Sequence, residues 1–472
     1  MNAYTAVPHA LADPIDPADI AQLKQEIAGP VLTSTDEGYA EEVMTWNLTL
    51  THRPAVVVGA TSAADVQAAV RFAAARDLPI AVLATGHGAV FSTDHAVLIN
   101  LRRIQSIHID ASAQTATIGG AVEAQQLVEA ASRVGLAPLA GSSPNVGFVG
   151  YALGGGLSPT LGRSHGYASD HVLAAEIVTA DGTLRRVDAD HEPDLFWAMR
   201  GGKGNFGVIT ELTVGLVPIT RVYGGGLFFS DAYVDGVLEA YRRLVTEAPA
   251  ELSVSFAFLR LPAVPFVPPP LQNRFILHVR VAYLGSEDEG QRLVAPLRAV
   301  GPRVIDTVDE MPYTEFAAIH ADPVDPVPSY ETSVLLSDFP AEAARALVDV
   351  AGPAVDSPAL MVEIRHLEGA LARPPITPSA IDHRGARFQL FAVAVAGPGM
   401  EQELRAPLKA IMGALERWAT RGRQVNFLTG FDQNPDAVKP AYEPATYERL
   451  VQIKRAYDPQ NLFRINHNIP PT

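Results

Sequence analysis

A histidine between two glycines, in the run Leu83-Ala-Thr-Gly-His-Gly-Ala-Val90, is the residue of this sequence best placed to do chemistry. Glycine neighbours let a backbone turn sharply or approach a ligand closely, and an imidazole held there can ligate, move a proton or attack. Two other stretches invite a chemical reading. Gly202-Lys-Gly-Asn-Phe-Gly207 has the letters of the dinucleotide motif G-x-G-x-x-G, and Gly162-Arg-Ser-His-Gly166 those of the nucleophile elbow G-x-S-x-G. A Rossmann loop follows a strand and opens a helix whose N-terminus receives the pyrophosphate. Here Asp194 to Arg200 is patterned as a helix and Val208 to Val214 alternates as a strand, so the order is inverted. The elbow needs an apolar strand before its serine. Gly154 to Leu161 is no such strand, which leaves Ser164 an ordinary loop serine.

The elements around His87 explain its position. Ala55 to Val58 is a short apolar strand, Ser62 and Asp65 form a capping box for a helix with Val66, Ala69, Val70 and Ala73 on one face, and Pro79 to Ala84 is a second strand. This is a β-α-β unit with the histidine loop at the carboxyl end of its second strand, where open α/β sheets place ligands. Strands at 97–100 and 115–118 and a helix from about Val122 to Arg133 follow. Gly141 to Arg163 is glycine-rich, and its Gly154-Gly155-Gly156 has no side chains to pack, so something large is expected against it. A hairpin turns at Asp181-Gly182, and a strand runs from Val208 to Leu216.

From about Arg221 the texture changes to long alternating strands, such as 252–259, 275–283 and 388–395, separated by amphipathic helices. One of these carries Val234, Val237, Leu238, Tyr241, Leu244 and Val245 on one face. That mix predicts an α+β domain on an antiparallel sheet. The proline-rich Leu261 to Leu271 reads as a stiff connecting loop. The expected division is 1–220, 221–419 and 420–472, the last returning to the first domain.

Composition narrows the function. The 472 residues suggest two or three domains, and a net charge of −16, from 36 Lys and Arg against 52 Asp and Glu, repels nucleic acid and anionic membranes. With no cysteine there can be no disulfide, thiolate metal site or thiol nucleophile. Among 13 histidines there is no H-E-x-x-H, and the one E-x-x-H, Glu363 to His366, lies in a strand-like stretch, so no metal is expected. No apolar run approaches a membrane span, and residues 1–14 lack the basic and apolar regions of a signal peptide. A cytoplasmic protein acting on a small molecule is expected, its oligomeric state left open.

Four stretches, Arg53 to Gly88, Val146 to Val172, Gly201 to Val214 and Tyr457 to Pro471, together resemble the berberine-bridge-enzyme-like FAD-linked oxidases, whose flavin domain is of the vanillyl-alcohol-oxidase (PCMH) type. The resemblance implies an α+β flavoprotein of two domains, an FAD domain and an antiparallel-sheet substrate domain. It implies FAD bonded covalently through His87, because a neutral imidazole is a good nucleophile towards the flavin 8α-carbon. Many relatives add a second bond from a cysteine whose place Ser143 takes here, so a single linkage is implied, as in bacterial hydroxynicotine oxidases and some natural-product tailoring oxidases. Thr85, Gly86 and Gly88, with Val146, Gly147, Gly150, Gly154, Gly155 and Gly156, would cradle pyrophosphate and ring. Gly207, Val208 and Ile209 would meet the adenosine side, and Asn466 and, ahead of it, Asn468 would offer amides to the ring.

The tyrosine that serves relatives as a base is replaced by Phe427. Glu363 and Tyr151 are the remaining candidates, although Glu363 and Arg365, two apart on a strand, could equally be an ion pair. The implied reaction passes a hydride from an amine or secondary alcohol to FAD and then electrons to O2, giving H2O2. An oxygenase of secondary metabolism, a dehydrogenase in which Phe148 limits oxygen access, and a flavin-carrying binding protein without turnover are the alternatives.

Overall fold

The computed structural model describes residues 15–265 and 267–472. The reading of residues 1–14, and Phe266 of the proline-rich loop, lie outside the described residues. Three sheets organise the chain. In the first, Val56–Gly59, Val97–Asn100 and Ile80–Leu83 run parallel in that order, with Val31–Leu32 antiparallel on the outer edge. The β-α-β unit is present, but Val97–Asn100 inserts between its two strands. Val56 to Val58 and Val97 to Asn100 are wholly buried, as strands covered on both faces must be, which is why their sequence runs apolar without alternation. Ser62 caps the helix Ala63–Ala74 by accepting from Asp65 N–H, yet the box is not reciprocal. The Asp65 carboxylate instead accepts from the amides of Thr61 and Ala28, tying the preceding loop to the helix start.

The second sheet is antiparallel, in the order Ile107–Asp110, Thr115–Gly119, Val208–Gly215, Val172–Val178, Leu184–Asp188. Ile107–Asp110 was not anticipated from the sequence, although its isoleucines alternate with a histidine and an aspartate that face solvent. The glycine-rich segment contains a six-residue helix, Phe148–Leu153, and the helix Pro193–Gly202 precedes the strand Val208–Gly215 in the inverted order described above. Ser164 sits in the short helix Gly162–His165 with its hydroxyl donated to Ala250 O, unlike a strained, exposed nucleophile.

The third sheet has eight antiparallel strands, with Leu252–Leu261, Met361–His366, Phe388–Val395 and Ser329–Leu336 as successive neighbours on one side of Arg274–Tyr283. Period-2 alternation divides its faces. Phe256, Phe258, Val362, Ile364, Leu390 and Ala392 pack in one core with the helices Val234–Glu247, Ala341–Ala351 and Glu401–Ala414. Met361, Arg365, Phe391 and Val393 face the other way, into a cavity.

The C-terminal tail closes back on the turn around Asn205 through a buried ion pair. Lys454 and Asp458, both without solvent exposure, lie 2.6 Å apart. Lys454 Nζ also donates to Asn205 O and Phe463 O, and the Asp458 carboxylate accepts from the amides of Leu462 and Phe463. Among the described residues no helix is long and apolar enough to cross a membrane. Removing one partner of a buried, hydrogen-bonded pair strands the other charge, at about 3–5 kcal/mol. Lys454→Met is therefore expected to destabilise the fold by that amount in denaturant unfolding; a loss under about 1 kcal/mol would contradict the role assigned to the pair.

Candidate active site

A cavity of about 650 Å³ lies between the first two sheets and the inner face of the third. His87 projects into its wall from the loop that follows Ile80–Leu83. The loop is held from behind: the amides of Trp46 and Asn47 donate to Thr85 O and Gly86 O, and the Trp46 ring stacks on the imidazole at 4.3 Å. Gly86 has φ 82°, and a Cβ there would lie 2.6 Å from Thr45 Cβ, so both conformation and space require glycine. Gly88 and Gly150 face open space, with no atom within 4 Å of where a Cβ would stand.

The two imidazole nitrogens differ. Nδ1 is 3.0 Å from Thr85 Oγ1, which also accepts from Gly147 N–H at 3.2 Å. Nε2 is buried and has no hydrogen-bond partner. Burial pushes the pKa of His87 down to about 4, only partly opposed by Asn145 and Asp322. Asn145 does not reach bonding geometry, since its Oδ1 is also left without a partner. The imidazole is thus neutral near pH 7, with one nitrogen tethered and the other buried without a partner.

Of the residues singled out by sequence, Thr85, Gly86, His87, Gly88, Ser143, Val146, Gly147, Gly150, Tyr151, Gly207, Ile209 and Asn466 line this cavity together. Gly154, Gly155 and Gly156 do not. Their bare faces are covered by protein: added methyls would meet Asn426 at Gly154, Ile381 at Gly155, and Ala168 and Tyr151 at Gly156. Val208 points away from the cavity into the core behind the first sheet, because alternation sends only Gly207 and Ile209 inward. Asn466 lines the cavity and Asn468, ranked ahead of it, does not, although the Oδ1 of each is without a partner. Phe148 is also elsewhere, 2% exposed in the core beneath the helix, and cannot screen oxygen by facing the cavity.

Glu363 is the largest correction. It has no solvent exposure and does not line the cavity. Its carboxylate accepts from Ser255 Oγ at 2.8 Å and from Arg365 Nε at 2.8 Å, and pairs with Arg280 at 2.8 Å. Burial alone would raise its pKa, but Arg365 and Arg280 hold it well below the usual carboxylate range. Such a group is a poor proton acceptor. What reaches the cavity is Arg365, its guanidinium fixed by Glu363 and set between the rings of Phe391 and Phe427, 5.6 and 5.4 Å from their centroids. The ion-pair reading is the one observed.

Beside Arg365 stand residues that sequence reasoning passed over. Glu331 carries a carboxylate raised by burial, bonded to Ser329 Oγ and to no cation. Asp322 accepts from the hydroxyl of Ser143 at 3.1 Å. Ser329, Glu331 and Ser333 alternate along one strand, a polar stripe that could have marked a cavity face. Tyr151 adds a phenol with no hydrogen-bond partner, its pKa pushed well above the ordinary value by burial. Among the described residues no group of three or more metal-ligating side chains is gathered.

Two family models match the chain: an FAD-binding domain over residues 54–188, and a berberine and berberine-like domain over residues 425–470. The chain is 32% identical to the (R)-6-hydroxynicotine oxidase of Paenarthrobacter nicotinovorans, over 94% of its own length and 97% of that protein's. It superposes on the crystal structure of 6-hydroxy-D-nicotine oxidase from Arthrobacter nicotinovorans with a TM-score of 0.82 and 31% identity, covering 94% and 98% of the two chains. The xylooligosaccharide oxidase of Myceliophthora thermophila C1 shares the fold at TM-score 0.82 and 20% identity, with 98% and 100% covered. The chain belongs to the berberine-like FAD-linked oxidases and is an FAD-dependent oxidoreductase of vanillyl-alcohol-oxidase-type α+β fold.

Glu363→Gln removes the anion that two buried arginines share. It is expected to lower stability by about 3–5 kcal/mol in thermal or denaturant unfolding. Unchanged stability with abolished turnover would instead restore Glu363 as a base.

Proposed function

We propose that this protein is an oxidase of small amines, carrying FAD bonded once, through Nε2 of His87. The observation that carries the reading is the neutral imidazole in the cavity wall whose outer nitrogen is buried and unpartnered. Donation of Nδ1–H to Thr85 leaves the Nε2 lone pair free, the form a nucleophile needs. Ser143 donates to Asp322 and its hydroxyl cannot form a thioether, which supports a single linkage. The cofactor would lie along Thr85 to Gly88, Val146, Gly147, Val149, Gly150, Gly207, Ile209 and Asn466, all of which line one cavity. When bound, FAD supplies a two-electron acceptor that takes hydride from substrate carbon and returns the electrons to O2 as H2O2.

The chain's own groups then bind and orient the substrate. Glu331 and Asp322 give the substrate end two carboxylates, one without a cationic partner, which suits an amine. A carboxylate raised by burial can take the ammonium proton and leave the neutral amine that hydride loss requires. Arg365, Phe391 and Phe427 offer a flat wall with a fixed cation, apt for an aromatic or carbonyl-bearing part. Phe427 has no proton to exchange. A secondary alcohol is the second reading, favoured by the unpartnered Tyr151 hydroxyl as a hydrogen-bond partner for the substrate hydroxyl.

Anaerobic mixing with panels of secondary amines and secondary alcohols tests this. An amine should bleach the yellow protein, air should restore it with one H2O2 per turnover, and Glu331→Gln should lower kcat/KM for that amine by tenfold or more, about 1.4 kcal/mol. Bleaching by alcohols alone would favour the second reading, and a colourless protein would contradict both.

A further inference from the structure

Among the described residues, one cation of the cavity has no partner. Lys203 begins the turn after the helix Pro193–Gly202 with φ 51° and ψ −138°, a conformation that suits glycine and that costs a side-chain-bearing residue on the order of 1–3 kcal/mol. Its stem lies against the bare face of Gly154, where a Cβ would be 3.0 Å from Lys203 Cε. The head lines the cavity, and among the described residues no hydrogen bond or ion pair engages Nζ. Burial draws its pKa down to about 8, so it stays mainly protonated near pH 7.

Its neighbours are other residues of the cavity wall. Asn426, which also covers Gly154, donates to Tyr151 O and adjoins Phe427, part of the wall around Arg365. Burial and then the charge of Lys203 push the pKa of His467 down to about 3, while His467 Nε2 is tied to Thr429 O at 3.0 Å. Asn205 fixes the turn by donating to Gly202 O and His467 O and accepting from Ile469 N–H. An unpaired cation in a desolvated, strained and rigid position calls for an anion from the ligand.

We infer that Lys203 is the counter-charge for the negative charge the flavin ring gains on reduction. Uptake of two electrons and one proton by the neutral oxidised ring leaves it with one negative charge, and a fixed cation beside it favours the reduced form. Lys203 thereby makes the bound flavin a stronger oxidant. The inference rests on FAD being held in this cavity.

The test measures the two-electron midpoint potential of the purified holoenzyme by anaerobic equilibration with reference dyes, together with flavin content per chain. Lys203→Met should shift the equilibrium against reduction by tenfold or more, about 30 mV to the negative. Lys203→Arg should stay close to wild type. Lys203→Gly relieves the backbone strain, so it should fold at least as well as wild type and show the same loss of potential. An unmoved potential in the Met and Gly variants at full flavin content would overturn the inference. So would loss of flavin with a wild-type potential in what remains, since that would assign Lys203 to the pyrophosphate. A colourless wild-type protein would instead defeat the FAD reading itself.

Discussion

The hydroxyl of Thr85 sits between the Gly147 amide and Nδ1 of His87, and the use of the whole cavity depends on that contact. It decides which imidazole nitrogen is engaged and which is left for a ligand. It also ties the histidine loop of the first sheet to the helix Phe148–Leu153, which begins one residue after Gly147. Trp46 closes one face of the ring, and Gly86 lets the loop pass close over Thr45. With the ring so confined, burial keeps it uncharged, and an uncharged imidazole in a dry wall is a nucleophile.

The opposite wall is arranged by strand periodicity. Apolar residues on one face of the eight-stranded sheet hold the helices, and the other face is free to carry Met361, Arg365, Phe391 and Val393. A guanidinium at such a depth must be compensated, and Glu363 does this from the same face while itself remaining covered. Arg280 and Ser255 complete the support, so that a carboxylate with the look of a catalytic base serves to fix a cation. Glu331, hydrogen-bonded to Ser329 and to no cation, is the carboxylate left available.

Much of this was legible in the residues. The β-α-β unit, the inverted order around Gly202 to Gly207 and the alternating strands after Arg221 follow from local pattern, because burial on one or both faces writes itself into period and run length. His87 stood out since few structural reasons bracket an imidazole with glycines. The misplaced residues share a different cause. Gly154 to Gly156 are small because protein side chains press on them, a reason indistinguishable in sequence from close approach of a cofactor. Val208, Asn468 and Phe148 lie within stretches that do reach the cavity, but side-chain direction within them is set by a register that sequence does not give. Glu331 and Lys203 needed tertiary structure, since what distinguishes them is the absence of an oppositely charged group bonded to them.

The central claim is a bond between FAD and one nitrogen of one histidine. Trypsin should release the peptide Asp77–Arg102, which contains both His87 and His95. Tandem mass spectrometry of that peptide is predicted to find it carrying the mass of one FAD, with fragment ions placing the addition on His87. Recovery of the peptide unmodified from yellow protein, or with the addition on His95, would contradict the account.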